Sequence, residues 1–531
     1  MKHEFRSSPA LLQFAFLATA ALALAPHSHA QALTLTPAKM PALTTVDERF
    51  QSYNIEMLEV TGGRFWAPYK AQTDAPPAPS QPTPGGLPAS LFRYRAPIDL
   101  TNPRLRKLAA ALGPAYMRVS GTWANSTYFH DSDTPAPQTP PTGFNGVLTR
   151  PEWKNVIDFS HAVDAKLVTS FAVSQGVRNA NGVWTPVEAE KILRFTRDAG
   201  GAIAAAELFN EPTLAALGGA PKDYDAAAYG RDFKAFHTFI HTADPSLKIL
   251  GPGGVGESST RLGMPGMKPV KSEDILADEG PGLDAFSYHF YGGVSKRCAI
   301  GPAAAIAGTS PEKALTAEWL ASTERDEAFY AALRDRLTPG LPIWLTETGE
   351  TACGGDPWAS SFIDSFRYLN QLGALAKRGV KVIMHNTLAA SDYALIDEST
   401  LAPRPNYWSA VLWRRLMGTT VLEAGQSPSP DLHLYAHCLR NHSGGVAILA
   451  INADKSSAHD ISLPKASSRY TLTAHDLLDH TVLLNGAELN LTADGDLPPL
   501  EGAAQPAGAI TLSPASITFF AIPGARNHAC H

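Results

Sequence analysis

Two segments of this chain end an apolar run in a carboxylate: Ala206-Glu207-Leu208-Phe209-Asn210-Glu211-Pro212 and Ile343-Trp344-Leu345-Thr346-Glu347-Thr348-Gly349. A buried strand that finishes on an acid delivers that acid to the mouth of a barrel. Two carboxylates brought there from different strands are the minimum equipment for hydrolysing a glycosidic bond, one protonating the leaving oxygen while the other attacks the anomeric carbon. Glu211 is read as the acid/base and Glu347 as the nucleophile. Asn210 stands where an amide can bind the sugar hydroxyl beside the reacting carbon, and Pro212 closes the strand. Two nearby acids compete for these roles. Glu207 sits deeper in its strand, where an internal ion pair is the natural use, and Glu350 lies past the strand in the following loop.

The elements that must position these groups follow from periodicity. Short β-branched or apolar runs at 50–57, 116–121, 165–174, 202–211, 247–254, 283–291, 342–350 and 380–388 alternate with helical patterns, such as the one opening at Pro151-Glu152-Trp153. Eight strands alternating with helices through about 350 residues predict an α/β fold, a closed (β/α)8 TIM barrel over 50–417. An open doubly wound sheet is disfavoured because no glycine-rich phosphate fingerprint follows the first strand. From about residue 418 the texture changes to short alternating strands at 432–439, 445–451, 470–474, 481–484 and 517–522, which predict an appended antiparallel β-sandwich over 418–531. Residues 33–49 precede the barrel, and Leu33 to Leu35 can add a strand to that sandwich. Proline-rich stretches at Ala75–Pro88 and Thr134–Thr142 and the irregular Gly251–Gly282 interrupt the barrel pattern; loops that follow strands are the ones that line a barrel's cleft.

With 531 residues, 44% of them hydrophobic, the chain can build a large core and a smaller second one. A formal charge of -6 argues against a general nucleic-acid binder, while leaving room for a local basic patch that meets an anionic polymer. Residues 1–32 carry Lys2 and Arg6, an apolar stretch from Leu11 to Ala25 and small residues around Ala30 and Ala32. This is the pattern of a cleaved signal peptide, too short to span a membrane, and predicts a secreted or periplasmic protein that acts as a monomer. The four cysteines fit an oxidising destination, and the pairing that keeps each bridge within one domain joins Cys298 to Cys353 and Cys438 to Cys530; free buried thiols are the alternative. Their spacing gives no metal signature, and neither a metal nor an organic cofactor is implied.

The chain resembles glycoside hydrolase family 79, the heparanase and β-glucuronidase family. The resemblance runs through Pro114-Ala115-Tyr116-Met117-Arg118-Val119-Ser120-Gly121-Thr122, Glu207 to Pro212, Ser287-Tyr288-His289-Phe290-Tyr291, Trp344 to Thr348, Gly354-Gly355, Asp392-Tyr393-Ala394-Leu395-Ile396-Asp397 and Leu434 to Cys438 with Cys530. It implies a retaining endo-β-glucuronidase acting on heparan sulfate or another glucuronate-containing polysaccharide. An exo-β-glucuronidase is the nearest alternative, and a carbohydrate-binding protein with a dead barrel is a third, opposed by the presence of both Glu211 and Glu347.

By the same resemblance the uronate carboxylate is held by backbone amides of Cys353, Gly354 and Gly355 and by the Tyr393 hydroxyl. Glycines let the backbone approach an anion, and a tyrosine donates a directed hydrogen bond without burying another charge. Glu56 and Thr122 fall where relatives contact sugar hydroxyls, and His289 and Tyr291 where they shape the pocket near Glu347. Arg118 either lowers the nucleophile's pKa or pairs with a barrel acid. Animal heparanase has a long excised segment after its second strand; this chain has only 134–144 there, which implies a single-chain enzyme. Lys296 and Arg297 are among the few basic residues expected near the mouth, so strong dependence on substrate sulfation is not expected.

Overall fold

Eight runs with buried side chains pair edge to edge in chain order: β1 (Gln51–Glu56), β2 (Ala115–Ser120), β3 (Ala165–Ser170), β4 (Ile203–Glu207), β5 (Lys248–Val255), β6 (Ala285–Tyr291), β7 (Ile343–Gly349) and β8 (Val382–His385). All pairings are parallel, and β8 returns to β1 through Ile383, Met384 and His385 opposite Gln51, Ser52 and Tyr53, closing the barrel. The computed structural model describes residues 33–69, 83, 87–258, 269–280, 282–299 and 308–531. The expected signal peptide, most of Ala75–Pro88 and part of Gly251–Gly282 lie outside them.

Inside the barrel, large and small residues alternate, as a tapering interior requires. Tyr116, Val168, Leu250, Trp344, Val382 and Met384 pack with Ala205 and Ala285, and the Tyr116 and Trp344 rings lie 4.8 Å apart between centroids. Above this apolar plug the inward positions turn polar, and the chemistry begins there. The helices start where local chemistry says they should. In the helix Arg150–Ala162, Thr149 accepts from the Glu152 amide while the Glu152 side chain accepts from the Thr149 amide, with Pro151 in the first turn. Helix Phe362–Lys377, between β7 and β8, is buried along nearly its whole length because it is covered by the barrel on one side and the C-terminal sheet on the other.

One strand departs from its sequence reading in a way that matters. The run expected to reach Glu211 stops at Glu207, since Leu208, Phe209 and Asn210 leave the ladder and Glu211 adopts φ 52°, ψ 61°, a conformation that no β-ladder accommodates. Likewise β3 ends at Ser170 and β8 at His385, short of the runs read from sequence.

The C-terminal region forms a large antiparallel sheet. Its spatial order is Ala42–Thr45, Met417–Leu422, Leu432–Leu439, Val446–Asn452, Ser516–Ile522, Ser467–Thr473, Leu483–Leu484 and Ala487–Glu488. A second sheet of Leu33–Thr34, His459–Leu463 and Gly508–Leu512 faces it. The N-terminal strand Leu33–Thr34 joins this second sheet in parallel, as the sequence allowed, while Ala42–Thr45, His459–Leu463 and Gly508–Leu512 are additional to the predicted strands. Leu434, Ile448, Ile461, Leu463, Ile510 and Phe520 fill the space between the sheets. On the opposite face Tyr435 lies over Gly373 of helix Phe362–Lys377, where any Cβ would meet the ring at 2.3 Å, and its hydroxyl donates to Asn370 Oδ1 at 2.7 Å.

Both expected disulfides are present, Cys298–Cys353 and Cys438–Cys530, the latter separated by 92 residues. Closing so long a loop restricts the unfolded chain. A Cys438→Ser/Cys530→Ser double variant is therefore expected to lose about 2–4 kcal/mol of stability in chemical denaturation while keeping its turnover rate, because this bridge ties the C-terminal sheet together and touches nothing at the barrel mouth. An unchanged midpoint would remove the bridge from the account of stability.

Candidate active site

The site is organised around Arg118, which points from β2 into the barrel and is 1% exposed. Its Nη2 donates to Glu207 Oε2 and to Asn210 Oδ1, both at 2.8 Å, and its Nη1 donates to Glu347 Oε2 at 2.9 Å. Burial alone would raise the Glu207 pKa, but the Arg118 charge holds it below the ordinary carboxylate range. Ser287 and Thr346 each donate to its other oxygen at 2.8 Å. Glu207 is thus a saturated structural anion. Arg118 pairs with this barrel acid, the second of the two alternatives for it, and donates to Glu347 as well.

The turn after β4 presents Asn210 and Glu211. Asn125 grips the Asn210 backbone from both sides, accepting from its N–H and donating to its carbonyl, each at 2.9 Å. With Asn210 Oδ1 committed to Arg118, its amide NH2 is left to donate. Glu211 follows in the left-handed region just before Pro212, a strained placement held by this clamp. His289, fully buried at the end of β6, faces Arg118 Nη2 with Nε2 at 3.3 Å. A guanidinium can only donate, so Nε2 accepts and the ring proton resides on Nδ1, which donates to Glu211 Oε1 at 3.1 Å. Burial raises the Glu211 pKa; the His289 hydrogen bond pulls it back, and the negative charge of Glu347 raises it again. The net direction is up, which suits an acid that must arrive protonated.

Glu347 is supported differently. Its Oε1 accepts from the Tyr291 hydroxyl at 2.6 Å while Oε2 takes the Arg118 bond, two donors that stabilise an ionised carboxylate. Asn386, directly after β8, lies 3.0 Å from the hydroxyls of Tyr291 and Tyr393 and 3.1 Å from Glu56 Oε1. Burial first, then neighbouring carboxylates, push the Tyr291 and Tyr393 pKa values well above normal, so both hydroxyls remain donors. Glu56 is raised by burial and by Glu347 and lies against Gly121, whose φ of 93° and missing side chain admit it: a Cβ there would stand 1.6 Å from Glu56 Oε2. Thr122 starts the turn after β2.

Beyond β7, Cys353, Gly354 and Gly355 have φ of 63°, 85° and 80° in succession. None of their three N–H groups has a partner among the described residues, and free amides on successive turn residues are able to form a concavity suited to an anion. Asp392 N–H donates to the Gly354 carbonyl at 3.0 Å, which draws the loop against the segment bearing Tyr393. His385, pushed down to a pKa of about 3 by burial and by Arg367, is neutral and donates from Nε2 to the Tyr393 carbonyl at 2.8 Å. Glu350 points the other way: fully buried, it accepts from Thr351 and the Asp356 amide and shapes the loop.

Among the described residues, one set of potential metal donors comes together, Glu211, His289 and Glu347, with ligand atoms within 4.8 Å of one another. The Arg118 guanidinium already bonded to Glu347 supplies the cation there, and a second positive charge would be repelled. A pair of carboxylates of unequal proton affinity in one cleft is glycosidase equipment.

Comparison with known proteins agrees. The chain is 26% identical to heparanase-like protein 1 of Arabidopsis thaliana (82% of this chain, 86% of the relative), 28% identical to a hyaluronoglucuronidase of Hirudo nipponia (82% and 92%) and 27% identical to the heparanase of Mus musculus (81% and 88%). It is a glycoside hydrolase, similar to heparanases and glucuronidases over most of its length. The fold of this heparanase homologue is shared by a 4-O-α-L-rhamnosyl-β-D-glucuronidase from Fusarium oxysporum 12S, at TM-score 0.59 and 11% identity over 92% of this chain and 99% of that one. No protein-family model matches.

Asn125 and Asn386 escape the sequence reading. Asn386 had a usable signal, since the apolar run 380–384 ends at His385-Asn386 just as the other strands end in polar residues; Asn125 acts on backbone, which leaves no motif. Two predictions follow from this geometry. Arg118→Met strands Glu207 and Glu347 without their cation and is expected to cost about 3–5 kcal/mol in urea unfolding; a loss under 1 kcal/mol would contradict the central role given to Arg118. His289→Ala removes a bond that favours ionised Glu211, so the alkaline limb of the kcat/KM profile moves to higher pH. A downward shift would contradict the assigned proton on Nδ1.

Proposed function

We propose that the protein is a secreted or periplasmic retaining endo-β-D-glucuronidase that cleaves β-glucuronidic linkages in heparan sulfate or a related glucuronate polysaccharide. The observation that carries this reading is the meeting of two sites. A carboxylate oxygen of Glu211 lies within 4.8 Å of one of Glu347, beside the open amide concavity of 353–355 and the Tyr393 hydroxyl. This proximity supports retention, for which the carboxyl groups stand about 5–5.5 Å apart, over inversion, for which they stand about 6.5–9.5 Å apart.

In this mechanism Glu347 attacks the anomeric carbon as Glu211 gives its proton to the departing oxygen, and a glycosyl-enzyme ester forms on Glu347. The ester is neutral and the negative charge now resides on Glu211, whose carboxylate then takes a proton from water as the water oxygen attacks the same carbon, releasing glucuronate-ended product and restoring Glu211 as acid and Glu347 as carboxylate. Asn210 donates to the sugar 2-hydroxyl through its free amide NH2, and Glu56 and Asn386 bind further hydroxyls. Thr122, His289 and Tyr291 complete the pocket wall. Relatives named heparanase and hyaluronoglucuronidase support glucuronate as the sugar, and the two disulfides support an oxidising compartment. Among the described residues no helix is long and apolar enough to cross a membrane.

Exo cleavage is the second reading, and one feature favours it. A hairpin inserted after β1, Gly63–Trp66 with Phe92–Arg95, leans on the concavity: the Trp66 Cβ lies 2.8 Å from where a Gly354 Cβ would be. The size of heparan sulfate after digestion, followed by gel filtration, decides between the two. Early appearance of intermediate fragments is expected; unchanged polymer with rapid release from an aryl β-glucuronide would establish exo action instead. Glu347→Gln is expected to abolish turnover on both substrates, whereas Glu211→Gln keeps measurable activity where the leaving group is an activated phenol that departs without a proton. Chelators are expected to leave the rate unchanged.

A further inference from the structure

The amides of 353–355 and the Tyr393 hydroxyl form a neutral receptor, yet a cation is built in directly behind it. Arg297, on the segment after β6, has a side chain only 6% exposed. Its Nη2 donates to Asp392 Oδ2 at 2.6 Å and lies 3.4 Å from the Gly355 carbonyl. Its guanidinium carbon lies 4.1 Å from the centre of the Tyr69 ring, and the Tyr69 hydroxyl accepts from the Arg297 backbone N–H at 3.0 Å. The adjacent Cys298 is bonded to Cys353, and Ser295 Oγ donates to the Cys353 carbonyl at 3.3 Å. Arg297, itself on the segment after β6, is therefore fastened to both segments that compose the receptor, those following β7 and β8.

Two of its donors remain unused. Nε and Nη1 are buried and have no hydrogen-bond partner among the described residues, and Nη1 lies 3.0 Å from the position a Cβ on Gly354 would take. Buried guanidinium donors without acceptors are expensive, and proteins keep them where an anion completes the set. Asp392 balances only one edge of the guanidinium. The geometry also explains why residue 354 must be glycine beyond its φ: a side chain would strike both Arg297 and Trp66.

Resting on the glucuronate reading above, we propose that Arg297 is a specificity-determining positioning residue that selects a carboxylate over a hydroxymethyl group at the sugar's C5. It fixes the amide concavity in place and sets a positive charge behind it. This adds a cation to a recognition otherwise made by neutral donors, and it acts on substrate affinity without participating in bond cleavage.

The test uses the full mature protein with an aryl β-glucuronide as substrate, and with D-glucuronic acid and D-glucose as competitive inhibitors. Arg297→Met is expected to raise KM for the glucuronide and weaken glucuronate inhibition by about tenfold to a hundredfold, with kcat nearly unchanged and glucose inhibition untouched. Arg297→Lys, which keeps the charge, restores part of the loss. Should Arg297→Met fail to fold, Arg297→Lys and Asp392→Asn carry the test. The charge role predicts that Asp392→Asn keeps its glucuronate affinity, and an equal loss there would show a salt-bridge clamp alone and overturn the proposal. A folded Arg297→Met enzyme with unchanged preference for glucuronate over glucose would also overturn it. A wild-type protein that neither cleaves the glucuronide nor responds to glucuronate would overturn the functional reading itself.

Discussion

The buried guanidinium of Arg118 is the constraint from which the rest of the active site follows. It is enclosed by the barrel and bonded to side chains from β4, the β4 turn and β7, with the β6 histidine against it. Taking such a cation out of water is costly unless several anionic and polar groups return its hydrogen bonds. That requirement makes Glu207 a permanent anion, fixes Asn210 Oδ1, sets the tautomer of His289 and holds Glu347 in place. Four groups from three parts of the chain are thereby oriented by one planar set of donors.

This arrangement also separates the two carboxylates chemically. Glu347 receives an arginine and a tyrosine hydroxyl, both of which favour its charge. Glu211 receives one histidine N–H, stands in a strained turn and feels the charge of its neighbour, and its proton affinity rises. The roles proposed for the two glutamates, acid and nucleophile, are distinguished by surroundings and not by residue type, as two glutamates in one cleft require. The amide concavity beyond β7 is built by the same economy of charge. Successive left-handed residues turn N–H groups outward, a disulfide and the Arg297–Asp392 pair hold the curve, and an anion can be bound without a lysine in contact with it.

Much of this was legible in the sequence because barrel strands are short, buried and end in polar residues. The eight runs, the two glutamates and the Gly354-Gly355 turn all announce themselves locally. The disulfide partners followed from assigning cysteines to the two structural regions. The failures have physical reasons. Strand ends were overrun at Glu211, Ser174 and Leu388 because apolar content continues after ladder pairing stops. His459–Leu463 and Gly508–Leu512 pair with each other across a long sequence gap and carry exposed positions that dilute their signal. Asn125 and Asn386 act through hydrogen bonds to groups far away in sequence, and such pairings are properties of the fold and not of a motif.

The most direct test of the account is to incubate the enzyme with an activated 2-deoxy-2-fluoro-β-glucuronyl fluoride, which forms the glycosyl ester quickly and hydrolyses it slowly, and to locate the added mass by peptide mass spectrometry. A single label on Glu347, absent when Glu347 is replaced by Gln, is the predicted result. Label on Glu56 or Glu350, or no label together with an inverted product anomer, would contradict the assignment of the nucleophile and the retaining mechanism built on it.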